Sequence, residues 1–113
     1  MTTIYHNPRC RKSRAGLAYL MEKEKDVRIR EYLKEPLTPE ELKEIMEMTG
    51  LEAHELIRTR EEAYRQNLKG KNLSPEEWMQ AILENPKLLK RPIVLRGKKG
   101  VWADPPEQID LLY

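Results

Sequence analysis

The segment Thr2-Thr3-Ile4-Tyr5-His6-Asn7-Pro8-Arg9-Cys10-Arg11-Lys12-Ser13-Arg14 reads as strand, turn and helix start. The β-branched and aromatic residues at 2–5 predict a short strand, and Asn7-Pro8 ends it. From Lys12 to Lys23, Ala15, Leu17, Ala18, Leu20 and Met21 form an apolar stripe at helical spacing. Cys10 therefore falls between strand and helix. At a helix N-terminus, free backbone N–H groups and the positive end of the dipole favour an anion.

Beyond this unit, Val27, Ile29 and Glu31 share one parity and Arg28 and Arg30 the other, which predicts a second strand over 26–32, half-buried or at an edge. Thr38-Pro39-Glu40-Glu41 and Ser74-Pro75-Glu76-Glu77 are two helix starts of one kind. In each, a hydroxyl cap and a glutamate three residues on can cap reciprocally, and proline suits the first turn. The first helix should run to Thr49 and stop at Gly50, and the second should end at Asn85-Pro86. Short helices are expected around Leu51–Ile57 and over Glu61–Asn67, with a loop at 70–73. Pro92-Ile93-Val94-Leu95, a turn at 97–100 and Val101-Trp102-Ala103 predict a hairpin. Pro105-Pro106 opens a last helix containing Ile109, Leu111 and Leu112.

A strand–helix–strand crossover favours parallel pairing of the first two strands, and a hairpin must be antiparallel. The expected fold is α/β: a small mixed sheet flanked by helices, with a helical insertion at about 38–86. The 113 residues fit a single domain spanning 1–113. Met46, Met48 and Trp78 read as scaffold.

The chain has 21 Lys plus Arg against 19 Asp plus Glu, a net charge of +2 that argues against a general nucleic-acid binder. No apolar run approaches the roughly 18 residues needed to span a bilayer, and 1–6 carries no signal-peptide pattern. A cytoplasmic protein is the expectation. With one cysteine, the fold cannot depend on an internal disulfide.

The positive charge is local: Arg9, Arg11, Lys12 and Arg14 surround Cys10. The thiolate is the attacking form, so local potential governs reactivity. Arg11, Lys12 and Arg14 add charge, and Ser13 offers a hydroxyl to the sulfur or to a bound oxyanion. All act to lower the thiol pKa. The same elements suit phosphate, sulfate, arsenate or a carboxylate. The plainer alternative is a cysteine packed as a small apolar side chain. His6 is placed either to stabilise the thiolate or to hydrogen-bond the backbone. Ser13 stands where dithiol oxidoreductases carry the resolving cysteine, so an oxidised Cys10 needs an external reductant. His54 has no cysteine or carboxylate at metal-ligand spacing, and no zinc site is expected.

Ile4 through Cys10, followed by Ser13-Arg14, resembles the glutaredoxin-coupled arsenate reductase family, which also includes the Spx-type transcriptional regulators. Tyr32-Leu33 with Pro36, Glu55-Leu56-Ile57-Arg58 and Lys90-Arg91-Pro92-Ile93-Val94 extend the resemblance over nearly the whole chain. It implies a thioredoxin-like fold with a helical insertion and a cis bond before Pro92. It implies that Cys10 attacks arsenate and forms a thiol–arsenate adduct. Glutathione then reduces the adduct and glutaredoxin takes over the mixed disulfide. No bound cofactor or metal is implied. Arginines hold the oxyanion: Arg58 and Arg91 match two family positions, and Arg14 is a further candidate. The third family arginine aligns with Asp104, a charge reversal for which Arg96, Lys98 or Arg60 would have to substitute. Arg11 stands where the family carries a small residue.

The leading expectation is a monothiol oxidoreductase with Cys10 as nucleophile. In it, His6, Arg11 and Ser13 tune the thiolate, and Arg58, Arg91 and Arg14 hold an oxyanion or a thiol-bearing substrate such as a glutathione mixed disulfide. The rivals are an Spx-type adaptor that binds RNA polymerase, and a non-catalytic member that binds anions or partner thiols. Nothing in the sequence requires more than a monomer.

Overall fold

The computed structural model describes residues 1–113. Strand β1 (Thr2–Tyr5) runs through the turn 6–10 into helix α1 (Arg11–Lys23), which returns the chain to β2 (Val27–Arg30). The insertion follows: α2 (Pro39–Thr49), a 3-10 turn at Ala53–Leu56, α3 (Glu62–Asn67), α4 (Pro75–Glu84) and a second 3-10 turn at Pro86–Leu88. Strands β3 (Ile93–Arg96) and β4 (Lys99–Trp102) and a 3-10 segment at Pro106–Leu112 complete the chain. The sheet order is β2-β1-β3-β4. β1 pairs parallel with β2 and antiparallel with β3, and β3 pairs antiparallel with β4. This is the mixed sheet expected from one crossover and one hairpin.

Alternation along the two central strands divides the core. Ile4 pairs with Val94 and Tyr5 with Ile93, so these pairs face opposite sides. Ile4 and Val94 join Leu20, Ala103, Ile109 and Leu112 on the α1 side. Tyr5, Ile93 and Leu95 join Tyr32, Leu42, Ile45, Ile57, Ile82 and Leu89 on the insertion side. Both proline-led helices carry the expected reciprocal caps, Thr38 with Glu41 and Ser74 with Glu77. Gly50, at φ 72°, ends α2 in the left-handed conformation. No helix is long and apolar enough to cross a membrane.

Some details depart from the sequence pattern. On β2, Ile29 is 45% exposed and Arg30 is buried, the reverse of what apolar parity suggests. Arg30 turns inward because every nitrogen of its guanidinium has a partner. It donates to both carboxylate oxygens of Glu41 at 2.8 Å and to the carbonyls of Glu35 and Pro36. The last segment is 3-10 rather than α. The three-residue repeat puts Ile109 and Leu112 in the core and leaves Leu111 exposed. His54 does have carboxylate neighbours: its ligand atoms and those of Glu52 and Glu55 lie within 4.8 Å, all exposed. That proximity comes from Glu55 capping the Glu52 N–H at the start of the 53–56 turn. The Arg91–Pro92 bond is cis, and so is Asp104–Pro105.

Candidate active site

The loop from β1 to α1 is tied down at nearly every polar group. His6 N–H donates to the Arg30 carbonyl, anchoring the loop to β2. Asn7 Oδ1 accepts from Arg9 N–H at 3.0 Å, and the Asn7 carbonyl accepts from Cys10 N–H at 3.1 Å. Ser13, fully buried in the first turn of α1, accepts the Asn7 N–H at 2.9 Å and lies 2.7 Å from His6 Nδ1. With Oγ already accepting from Asn7, its proton is free for Nδ1. Burial, the main influence on His6, lowers its pKa toward the neutral imidazole that accepts this proton. Arg14 donates to the Pro8 carbonyl at 3.0 Å. The side chains of His6, Ser13 and Arg14 thus all make hydrogen bonds that shape the loop.

Cys10 is the N-cap residue of α1. Burial pushes its thiol pKa up. The Ser13 N–H, the Arg91 guanidinium and the Lys12 N–H pull it down, and the net shift is downward. Arg91 acts on the sulfur as a near cation; its well-formed hydrogen bonds go to the carbonyls of Lys87 and Leu89.

The thiol opens on a cavity of about 330 Å³ lined by Cys10, Lys12, Arg58, Thr59, Arg60, Lys90, Arg91 and Trp102. Two distant stretches supply its far wall. Ile57 and Leu89 form an antiparallel bridge. Arg58 N–H donates to the Leu88 carbonyl at 2.7 Å, and Lys90 N–H to the Leu56 carbonyl at 2.8 Å. This clamp sets 58–60 beside 90–91. Trp102, on the last residue of β4, donates Nε1 to the Arg91 carbonyl and lies under Lys90 Nζ at 4.6 Å from the ring centre.

Of the residues singled out from sequence, Cys10, Lys12, Arg58 and Arg91 meet at this cavity. Arg60, named as a substitute for the third arginine, lines it too, whereas Arg96 is engaged elsewhere, with the Leu112 carbonyl and the Tyr113 ring. Arg11, His6, Ser13 and Arg14 are not part of the wall. Asp104 sits at its edge and pairs with Lys12 at 2.9 Å. Thr59, Lys90 and Trp102 were not legible as cavity residues; only the adjacency of Lys90 to Arg91 hinted at one. Five cations line the cavity, with no carboxylate among its lining residues. Such a site suits an anion, and the planar forks of Arg91 and of Arg58, whose Nη1 already donates to Glu61 at 2.8 Å, have the shape for a tetrahedral oxyanion.

The sequence profile of the ArsC family matches residues 5–111. The uncharacterized protein YfgD of Escherichia coli (strain K12) is 41% identical over 108 residues, 94% of this chain and 91% of that one. The global transcriptional regulator Spx of Enterococcus faecalis is 36% identical over 100 residues, 88% of this chain and 76% of that one. The structure of the arsenate reductase from Vibrio cholerae superposes with a TM-score of 0.90 at 37% identity, covering 99% of this chain and 97% of that one. Sharing this thioredoxin-like architecture and matching the family profile over almost its whole length, the chain belongs to the ArsC family.

Proposed function

We propose that the protein is a monothiol oxidoreductase that reduces arsenate, with glutathione as the external thiol and glutaredoxin as the acceptor of the mixed disulfide. The observation that carries this reading is a lone cysteine at a helix N-terminus, opening on a cavity lined by five cations.

In the first step the Cys10 thiolate attacks the arsenic of a protonated arsenate. An S–As bond forms, an As–O bond breaks, and the arsenate hydroxyl leaves as water after taking one proton from solvent. Arg58 and Arg91 hold the remaining oxygens and their charge. Glutathione thiolate then attacks Cys10 Sγ. The S–As electron pair goes to arsenic, which drops from As(V) to As(III) and leaves as arsenite, and a Cys10–glutathione disulfide remains. A glutaredoxin thiolate attacks the glutathione sulfur and releases Cys10 as thiolate. Each turnover moves two electrons from two thiols to one arsenate. His6 and Ser13 serve this chemistry by fixing the loop that presents the sulfur, and Arg11 and Arg14 add positive potential around it.

The Spx likeness supports a second reading, an adaptor for RNA polymerase. Ser13 weighs against a redox switch of that kind: it occupies the position a partner cysteine would need, and its hydroxyl is bonded to His6 and Asn7. Intact mass separates the two readings. Incubation with arsenate and glutathione should add one glutathione at Cys10, and glutathione without arsenate should add none. The absence of an arsenate-dependent adduct would contradict the reductase.

A further inference from the structure

Tyr32 Oη and Arg91 Nε are buried and make no well-formed hydrogen bond. Buried polar groups are nearly always paired, so each exception calls for a reason. Tyr32 is completely buried. The Arg30 carbonyl takes the His6 N–H, so residues 31–32 leave β2 beside the loop that carries Cys10. Tyr32 also shares its buried cluster with Ile57, Leu88 and Leu89, the residues that lead into Arg58 and Arg91. Arg91 and Arg58, two of the charged groups that act on its hydroxyl, line the cavity on which Cys10 opens.

We infer that Tyr32 is a positioning residue for the Cys10 thiolate: its hydroxyl, backed by Arg91 Nε, is the buried donor that the ionised sulfur satisfies. The inference rests on the reading of Cys10 as a reactive thiol. The charged groups that act on the Tyr32 hydroxyl are Arg91, Arg58 and the Cys10 sulfur itself. Burial, the largest influence, pushes the phenol up to about 12, so it stays protonated and able to donate near neutral pH. The Arg91 guanidinium, which also acts on the hydroxyl as a hydrogen-bond donor, can only donate, so the O–H proton is left for an acceptor such as a developing thiolate. Until that charge forms, the hydroxyl proton has no acceptor.

The test is the pH profile of Cys10 alkylation by iodoacetamide, in the full chain and in Tyr32→Phe. The substitution keeps the ring and removes only the hydroxyl. If the hydroxyl serves the thiolate, the profile moves to higher pH and the rate near pH 7 falls about tenfold, the weight of one hydrogen bond to a charge. The melting temperature should not fall, because a phenyl ring leaves no unpaired group behind. An unchanged profile in a folded variant, with wild-type Cys10 ionising below an ordinary thiol, would overturn the inference and leave the reactive-thiol reading intact. An ordinary profile in the wild type would overturn both. Should Tyr32→Phe fail to fold, the Tyr32 ring carbon bearing the hydroxyl can be followed by NMR in the wild type. Its shift should track the Cys10 titration, and a flat response would overturn the inference.

Discussion

Lys12 Nζ lies 2.9 Å from Asp104 Oδ2, at the rim of the cavity that Cys10 faces. Asp104 is therefore tied to a cavity cation. Arg58 is paired in the same way, its Nη1 donating to Glu61 at 2.8 Å, so Arg60, Lys90 and Arg91 are the cavity cations without a carboxylate partner. Lys12 is 61% exposed, so the pair adds little stability, about 0–1 kcal/mol. Its effect is on the potential of the site. Asp104→Asn should lower the KM for arsenate several-fold and leave the melting temperature nearly unchanged. Steady-state kinetics beside a thermal melt checks both, and an unchanged or higher KM would contradict the account.

In the proposed arsenate site, Arg58 and Arg91 would contribute shape as well as charge. Replacing either with lysine keeps the cation and removes the planar fork. Arg58→Lys and Arg91→Lys should each raise the KM for arsenate about tenfold, the scale of a lost charge-assisted hydrogen bond. Arg91→Lys should also slow Cys10 alkylation, because Arg91 helps hold the thiol pKa down. Arg58→Lys should not. Equal effects of the two variants on alkylation would count against this division of roles.

Gly16 lets α1 rest on Pro92. A Cβ built there would lie 2.5 Å from Pro92 Cγ, and the ring has little freedom to retreat. Gly16→Ala should destabilise the fold by about 1–3 kcal/mol, as overpacking does. It should also lower activity, since Pro92 follows Arg91. Chemical denaturation gives the first quantity. An alanine variant of wild-type stability would show that the helix can shift freely.

His6 makes stability depend on pH. Burial, the main influence, lowers its pKa below the ordinary 6.5. Just below pH 6.5 the unfolded chain therefore binds more protons than the folded one. Stability rises with pH through that window and falls as the pH drops through it toward the folded-state pKa. Glu24 and Glu41, held below 4.5, act the same way only in more acidic solution. His6→Asn should remove the loss just below pH 6.5 and spare the acid limb. Denaturant midpoints across the range check this, and an unaltered slope near pH 6 would contradict it.

What the sequence displayed was whatever depends on short spacing. Thr38, Ser74 and their glutamates three residues on announced two helix starts, and His6 to Ser13 announced a thiol at a helix N-terminus. Arg30 was misleading because a side chain's parity says nothing of partners eleven residues away, and Glu41 makes its burial tolerable. The far wall of the cavity was hidden for a similar reason. Arg60, Lys90 and Trp102 come together through the Ile57–Leu89 bridge and the β3–β4 hairpin, and no local pattern encodes either contact. Tyr32 entered only as part of a family-like segment. Its unpaired hydroxyl is a property of packing.

The central claim is that Cys10 is the nucleophile of an arsenate-reducing site. It is tested most directly by NADPH consumption in a mixture of arsenate, glutathione, glutathione reductase and glutaredoxin, comparing the wild type with Cys10→Ser. The account predicts arsenate-dependent turnover in the wild type and none in a folded serine variant. Turnover that survives Cys10→Ser, or a wild type that consumes no NADPH with arsenate, would contradict it.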